Sequence, residues 1–546
     1  MQYVMPFIVG MVVTMAGLPI LSKLAAKWLI IDHPGVRKVH SAPIPRVGGL
    51  AMALGVLIAA LSTINLQPSD LWFLVAAGLL ITFGALDDRF DLDYRIKLVG
   101  QLLAVTIAVW LGDTRIDTIT LDERVSLPGW ASAPITVFFL VGVTNAINLA
   151  DGLDGLAGGT AFLCLCAVAL LSGVGDTGSS TAMALAFAGA ALGFLRFNTY
   201  PASVFMGDAG SQLLGFTIGV LSVRATQSAH SEISAAIPVL LLALPILDTL
   251  SVMVQRIADG RSPFSADKNH IHHKLLALGF EHHEAVMVIY VVQGVLFVIA
   301  YLMRSESDVL ILGVVSGFFV VSIVVFQCAS RTGWRLHDPA RHVRHVPVPR
   351  LMKVLLAPGL ISRLSLLAIG TAVGAYALLV VLDTVGMSTD LRVLVVALLA
   401  VIAAFLAALR TGPLSVVEKG SIYVTATALV YLDAVVLPAG RVASTLGWIA
   451  ITVAGLATAI RLRLHNDRRF QVTPLDLIVL FMALVVPSLQ GALNLPRGGA
   501  LAIAKLVILF YALEMLVGRA DSRAVWVRIA AASVLSGLAV RPLLPF

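Results

Sequence analysis

Four groups of polar residues interrupt a sequence otherwise built from apolar runs, and each group is of a type that handles anions, cations or protons. Asp87-Asp88-Arg89-Phe90-Asp91 closes one apolar run, and Asn145-Ala-Ile-Asn148-Leu-Ala-Asp151-Gly-Leu-Asp154-Gly155 closes another. Asn198 and Asp208 bracket a short loop, and His270-Ile-His272-His273 follows Arg256, Arg261 and Lys268. Adjacent carboxylates repel one another, and hard oxygen donors suit Mg2+ held by one or two carboxylates together with substrate phosphates. A solvated helix end with Arg89 as counter-charge is the plainer reading of the Asp87-Asp88 pair taken alone.

The second group carries more information. Asn145, Asn148, Asp151 and Asp154 recur every three residues, and the turn accumulated over that stretch, about 900°, would point the first and last in opposite directions on a straight helix. Gly152 and Gly155 permit the helix to stop near Ala150 and the acidic half to fold back as a loop. Gly207-Asp208-Ala-Gly210-Ser211 opens the next run, where free N–H groups and the helix dipole favour anions; Asp208 can act there as an N-cap, a metal ligand or both. His270, His272 and His273 lack the His-x-x-x-His spacing that one helix face offers zinc, and their cationic neighbours favour a phosphate instead. His282 and His283 read as a solvated turn. In the loop from Asp32 to Gly49, prolines and glycines stiffen a stretch whose Arg37, Lys38, His40 and Arg46 either hold a phosphate or anchor the chain at a membrane face.

The elements that must position these residues are membrane helices. Of 546 residues, 59% are hydrophobic and 13% charged, against roughly a quarter charged in soluble chains; a water-soluble protein is excluded. Apolar runs long enough to cross about 30 Å of hydrocarbon recur eleven times between residues 3 and 328 and seven times between 361 and 540. The expected fold is an all-α polytopic membrane protein with a module over residues 1–330, a basic linker over 331–353 and a second module over 354–546. No basic residue precedes the first run and Lys23 and Lys27 follow it, the opposite of a cleavable signal peptide, so this run is expected to remain as a span with its N-terminus outside. That orientation leaves nineteen Lys and Arg residues of the first module inside and four outside: Arg115, Arg124, Arg224 and Arg304. The net charge of +7 is therefore a topology signal, and no nucleic-acid partner is expected. Cys164, Cys166 and Cys328 sit in apolar runs without C-x-x-C spacing and read as small buried hydrophobes.

With these spans, every polar group above falls at an inner helix end, where carboxylates and amides reach water instead of incurring the several kcal/mol each would cost at mid-bilayer. A transporter or lipid flippase, the alternative for so many spans, would place its polar residues near the midplane on broken helices and show internal repeats; no convincing repeat is present. Asp433 and Lys505 lie inside predicted spans of the second module at similar depth and are expected to pair.

Taken together, residues 1–330 resemble the polyprenyl-phosphate N-acetylhexosamine-1-phosphate transferases. The resemblance runs in order through Asp32-His-Pro-x-x-Arg37-Lys38-x-His40, Gly48-Gly49, Asp87-Asp88-x-x-Asp91-Leu92, Lys97-Leu98-x-x-Gln101, the Asn145 to Gly155 motif, Phe205-Met206-Gly207-Asp208-x-Gly210-Ser211 and Ser262 to His273. The first loop is similar to the branch that uses UDP-N-acetylglucosamine, and it lacks the pattern of the branch that takes UDP-MurNAc-pentapeptide, to which the family is related. The resemblance implies transfer of a sugar phosphate from a UDP-amino sugar to a polyprenyl phosphate at the inner leaflet of a bacterial cytoplasmic membrane, with release of UMP. It also implies Mg2+, or Mn2+ in its place, held by Asp208 and Asp88. Asp87, with Asp88 close by, would deprotonate the acceptor phosphate; Asp151, Asp154 and Asn198 would contact the nucleotide, with Asn145 and Asn148 supporting that loop. His270, His272, His273, Arg261, Lys38, His40 and Lys97 would bind substrate, and a homodimer and downstream glycosyltransferases are the expected protein partners.

Overall fold

The computed structural model describes residues 3–337 apart from 33–42, 122, 175–177, 229–230 and 263–268, and then 358–384, 392, 395–400, 402–403, 416–433, 442–464, 499–517 and 524–540. The chain divides into two compact units, the first ending at His342 and the second formed from most of the residues that follow.

The first unit is a helical bundle. Its long elements are α1 (Val4–Trp28), α2 (Gly48–Thr63), α3 (Pro68–Phe90), α4 (Tyr94–Trp110), α5 (Gly129–Ala150), α6 (Leu156–Val174), α7 (Gly178–Asn198) and α8 (Gly207–Gln227). These are followed by α9 (Ile237–Leu241), α10 (Ala243–Ala258), α11 (Ile271–Ala277), α12 (His282–Leu302) and α13 (Asp308–Thr332). Two short antiparallel hairpins complete it: β1 (Ile31–Asp32) with β2 (Ile44–Pro45), and β3 (Thr118–Thr120) with β4 (Arg124–Ser126).

Helix α8 is the axis of the bundle. It meets α2, α3, α5, α6 and α7, and nearly every residue from Ala209 to Thr226 is buried. Because protein surrounds it, α8 can carry Ser211, Gln212, Thr217, Ser222 and Thr226 without exposing them to lipid. The outer helices show the reverse pattern. Trp72, Val75, Leu98, Val99 and Leu102 on α3 and α4, and Val320, Val321 and Val324 on α13, are exposed, as expected where hydrocarbon is the solvent. Cys328 lies on that exposed face of α13, so only Cys164 and Cys166 are the buried small hydrophobes that were expected.

Eight helices among the described residues are long and apolar enough to span a membrane: seven in the first unit and Leu364–Asp383 in the second. The expected eleven and seven are not reached by this measure, for reasons visible in the elements. Helices α2, α4 and α10 have 16, 17 and 16 residues, and α8 is long but polar. One of the eleven expected runs, over residues 233–255, is broken at Leu242. Pro245 has no N–H to offer the Leu241 carbonyl, which instead accepts from Gln293 Nε2 at 2.9 Å.

In the second unit Pro358–Asp383 packs against Val442–Leu464 and Gly499–Val517, and Val416–Tyr431 and Ala524–Val540 pack on the same group. Tyr376, Leu429, Ile451, Leu509 and Leu535 form its core. Asp433 and Lys505 do meet, with Nζ 2.5 Å from Oδ2. The Tyr376 hydroxyl donates to the same oxygen at 2.9 Å, and the ammonium sits 4.3 Å from the Trp448 ring centroid.

Candidate active site

Three helix ends converge. Asp87 occupies the last turn of α3, Lys97 the first turn of α4 and Asp208 the first turn of α8. Asp91 adopts a left-handed conformation that stops α3, and Asp93 caps α4 by accepting from Arg95 N at 2.9 Å. The chain therefore reverses within a few residues and returns Lys97 to the side of Asp87. Lys97 Nζ lies 2.6 Å from Asp87 Oδ2 and 3.2 Å from Asp208 Oδ2. The other Asp87 oxygen accepts from Leu92 N at 2.8 Å, which holds the carboxylate against the turn.

Asp88 has a different task. Its two oxygens accept from Asp208 N at 2.9 Å and Ala209 N at 3.1 Å, so a carboxylate from α3 satisfies the free donors at the start of α8. Asp208 is thus not the N-cap; that position is Met206. Gly207 makes the approach feasible: its φ is +73°, and a methyl group there would meet Asp88 Oδ2 at 2.3 Å. Arg46, paired with Asp32 beside the β1–β2 hairpin, reaches to 4.0 Å from Asp88. The metal-ligand and catalytic roles expected of Asp88 would have to share oxygens that already dock α8.

The amides form a separate layer. Asn145 exchanges hydrogen bonds with Gln101, donating at 2.7 Å and accepting at 3.3 Å, and Gln101 also donates to Gln212 Oε1 at 3.1 Å. Asn148 accepts from Ser211 Oγ at 2.6 Å. Both asparagines therefore bond α5 to its neighbours, to α4 through Gln101 and to α8 through Ser211.

Helix α5 ends at Ala150, as the glycines implied, and the acidic half is a loop. Gly155, with φ +83°, supplies the reversal; its N–H donates to Asn198 Oδ1 at 2.9 Å and its carbonyl accepts from Tyr290 Oη at 2.6 Å. Asp154 Oδ2 accepts from Ala202 N at 2.9 Å. His282 is not on a solvated turn: it opens α12, its Nε2 accepts from Asp154 N at 3.1 Å, and its ring stacks on Tyr200 at 4.7 Å. Asn198 and Asp154 thus build the loop, and Asp151 is the member left facing outward.

The histidines close the other side. His270 Nδ1 lies 2.9 Å from Asp248 Oδ2, and Ile271 N donates to Asp248 Oδ1 at 2.6 Å, so Asp248 anchors the start of α11. His272 stacks parallel to His270 and touches the acidic loop, since a methyl on Gly152 would lie 2.3 Å from its ring. His273 packs against His272 with centroids 4.2 Å apart. Arg261 is exposed and pairs with Asp259 at 2.7 Å. Lys38 and His40 lie outside the described residues. Asp248, Tyr290, Gln212 and His282 were not expected to contribute; a lone acid inside an apolar run was the available signal for Asp248.

The charge pattern is predominantly acidic with two cations. Asp151 is pushed up to about 7 by desolvation in the crowded loop, then by the like charges of Asp208, Asp88 and Asp154, against the pull of Arg46. Its surface is open to solvent, so the like charges are the durable part of that shift. Burial, with His273 as the next cause, pushes His272 down to about 3 although Asp248 opposes it, and it is neutral at physiological pH. Among the described residues no cluster of three or more His, Cys, Asp or Glu side chains is arranged to hold a metal. Asp87 and Asp208, drawn together by one ammonium, nevertheless fit the pair of carboxylates that Mg2+ takes when phosphates complete its shell.

A helical membrane bundle that presents acids, a lysine and histidines at adjoining helix ends defines a class of integral-membrane group-transfer proteins. The model described as glycosyl transferase family 4 matches residues 71–226, the stretch from α3 to α8 that carries Asp87, Lys97, Asp151 and Asp208. A Bacillus subtilis (strain 168) protein named probable undecaprenyl-phosphate N-acetylglucosaminyl 1-phosphate transferase is 36% identical over 336 residues, 61% of this chain and 92% of that protein. A decaprenyl-phosphate N-acetylglucosaminephosphotransferase of Mycolicibacterium smegmatis is 36% identical over 311 residues, 50% of this chain and 75% of its own length. The undecaprenyl-phosphate alpha-N-acetylglucosaminyl 1-phosphate transferase of Escherichia coli (strain K12) is 28% identical over 330 residues, 59% and 89% respectively. The chain belongs to the polyprenyl-phosphate N-acetylhexosamine-1-phosphate transferase family.

Proposed function

We propose that the first unit transfers N-acetylglucosamine 1-phosphate from UDP-N-acetylglucosamine to a polyprenyl phosphate, releasing UMP, as the first membrane step of cell-envelope polysaccharide assembly. The observation that carries this reading is the meeting of Asp87 and Asp208 on Lys97, beside the Asp151 loop and His272. An oxygen of the acceptor phosphate attacks the β-phosphorus of the donor; the bond from that phosphorus to the bridging oxygen breaks, and UMP leaves with the electron pair. Both reactants are anions, so their approach requires positive charge. Lys97 and Arg46 supply fixed cations, and Asp87 takes the proton of the acceptor phosphate. Asp208 and Asp87 would hold Mg2+, or Mn2+ in its place, which would supply positive charge against that of the reacting phosphates. Neutral His272, with His270 and His273, lines the side from which the donor diphosphate and sugar enter, and Asp151 faces the nucleotide. Asp88, Asn148 and Asn198 hold the helix ends and loop on which these groups sit.

The site opens to the cytoplasm and the N-terminus lies outside in this reading, which follows from the inward bias of Lys and Arg. The test is UMP release and lipid labelling by membranes containing the protein, given UDP-N-acetylglucosamine, undecaprenyl phosphate and Mg2+. Asp208→Asn should lower turnover by about a thousandfold while leaving the protein folded. A wild-type chain that releases no UMP would refute the assignment.

A further inference from the structure

The helices that bring Asp87, Lys97 and Asp208 together at one end are joined by a second polar knot at the other. Arg224, in the last turn of α8, donates from Nη1 to Asp70 Oδ1 at 2.8 Å and from Nη2 to the carbonyls of Ser69 at 2.9 Å and Gly112 at 3.0 Å. Its Nε donates to Thr114 Oγ1 at 3.1 Å. Asp70 and Ser69 begin α3, and Gly112 and Thr114 follow α4. Only 10% of the Arg224 side chain and 1% of the Asp70 side chain are exposed. The guanidinium also lies 5.6 Å from the Phe73 ring centroid, and Phe73 stacks on Phe216 of α8.

The three rods between the knots are closely matched. At 1.5 Å per residue, Asp70 to Asp87, Arg224 to Asp208 and Gly112 to Lys97 span about 26, 24 and 22 Å. Between them the backbones of α3 and α8 approach closely at one point, where a methyl on Gly84 of α3 would lie 2.4 Å from Ala209 of α8, beyond the Phe73–Phe216 stack. In lipid no hydrophobic force favours one axial offset over another, so the offset is left to packing and to polar bonds such as those of Asp88 and Gln101 near the site end. A planar guanidinium bonding three elements through all of its nitrogens does favour one.

We infer that Arg224 is a positioning residue for the transfer reaction: its bonds set the axial register of α3, α4 and α8 that seats Lys97 between Asp87 and Asp208 at the opposite end. The inference rests on the reaction proposed above. Its physical content is that a slide of about 1 Å at the distant end is enough to cost up to a hundredfold in rate.

The test compares Arg224→Met, Arg224→Lys and Arg124→Met in the full chain. Arg124 serves as a control because it also bonds to the end of α8, donating to the Thr226 carbonyl at 3.2 Å. Arg224→Met should lower kcat for UMP release by about tenfold to a hundredfold per folded molecule, with KM for UDP-N-acetylglucosamine within about twofold. Arg224→Lys, which keeps a cation for Asp70 but loses the fork, should recover part of the rate, and Arg124→Met should match wild type. A second readout needs no activity: spin labels at Val75→Cys and Val99→Cys, both on exposed faces of α3 and α4, in a Cys328→Ser background. Their distance distribution should shift or broaden in Arg224→Met. If that variant does not fold, Asp70→Asn and Thr114→Val weaken the same knot and carry both measurements. An unchanged kcat, a loss confined to KM, or an unchanged distance distribution would each overturn the inference. Absence of UMP release by wild type would instead overturn the proposed reaction, and the spin-label comparison would still decide whether Arg224 sets the register.

Discussion

Substituting alanine for Gly207 isolates the docking of α8 on Asp88. The backbone there has φ +73°, and holding a residue with a Cβ in the left-handed region costs about 1–2 kcal/mol. The added methyl would also lie 2.3 Å from Asp88 Oδ2 and 2.8 Å from its Cγ, so the carboxylate must withdraw from the N–H groups of Asp208 and Ala209. Each of those bonds to a charged group contributes about 1.5–3 kcal/mol, and the whole loss comes to about 4–8 kcal/mol. Gly260 provides the comparison, since its φ is +69° and nothing lies within 4 Å of an added methyl; Gly260→Ala should cost only the conformational part. Unfolding both variants with SDS in mixed micelles measures the difference, which is the part due to Asp88. In an Asp88→Ala background, where no side chain meets the added methyl, Gly207→Ala should cost only the conformational part, as at Gly260. If Gly207→Ala is no more destabilising than Gly260→Ala, Asp88 does not hold the start of α8 and the reasoning fails.

Four further outcomes are expected. The like charges of Asp208, Asp88 and Asp154 hold the folded carboxyl of Asp151 above its ordinary range, so its contribution to stability is lost as pH rises from about 4 towards neutrality, and Asp151→Asn should remove that part of the slope. His272 titrates at about 3 against 6.5, which gives the opposite sign: stability falls as pH drops below about 6.5, and His272→Gln should flatten that limb in chemical unfolding curves. In the second unit, Lys505→Met or Asp433→Leu alone leaves a buried charge unpaired and should cost about 3–5 kcal/mol, whereas exchanging the two charges should restore most of the folded yield on size-exclusion chromatography; equal loss in the exchange would count against the pair. Truncation after residue 353 should leave UMP release intact if the first unit is catalytically complete, and loss of turnover in a truncated protein that still folds would show that it is not.

Much of the chemistry was legible because membrane helices tolerate so few polar residues. Asp87, Asp151, Asp154, Asp208 and the histidines were conspicuous for that reason, and Asp433 and Lys505 were matched by depth alone, as their 2.5 Å contact shows. Span counting was less secure. Hydropathy reports what faces lipid, so α8, sheltered by its neighbours, is less apolar than the outer helices although it was expected as a span, and the apolar pattern runs across the break between α9 and α10.

What the sequence determined by itself was the all-helical membrane class, the family, and the residue types collected at helix ends, because these follow from composition, local spacing and the order of motifs along the chain. The division of labour among those residues was decided only by the fold. Asp87 and Asp88 are neighbours in sequence, yet consecutive residues on a helix point about 100° apart: one carboxylate turns to Lys97 and Asp208, the other to the free N–H groups of α8. His282, Tyr290 and Arg224 act on partners 128, 135 and 154 residues away. Their roles depend on which helix ends meet, and contacts across such distances arise from packing, which no local pattern encodes.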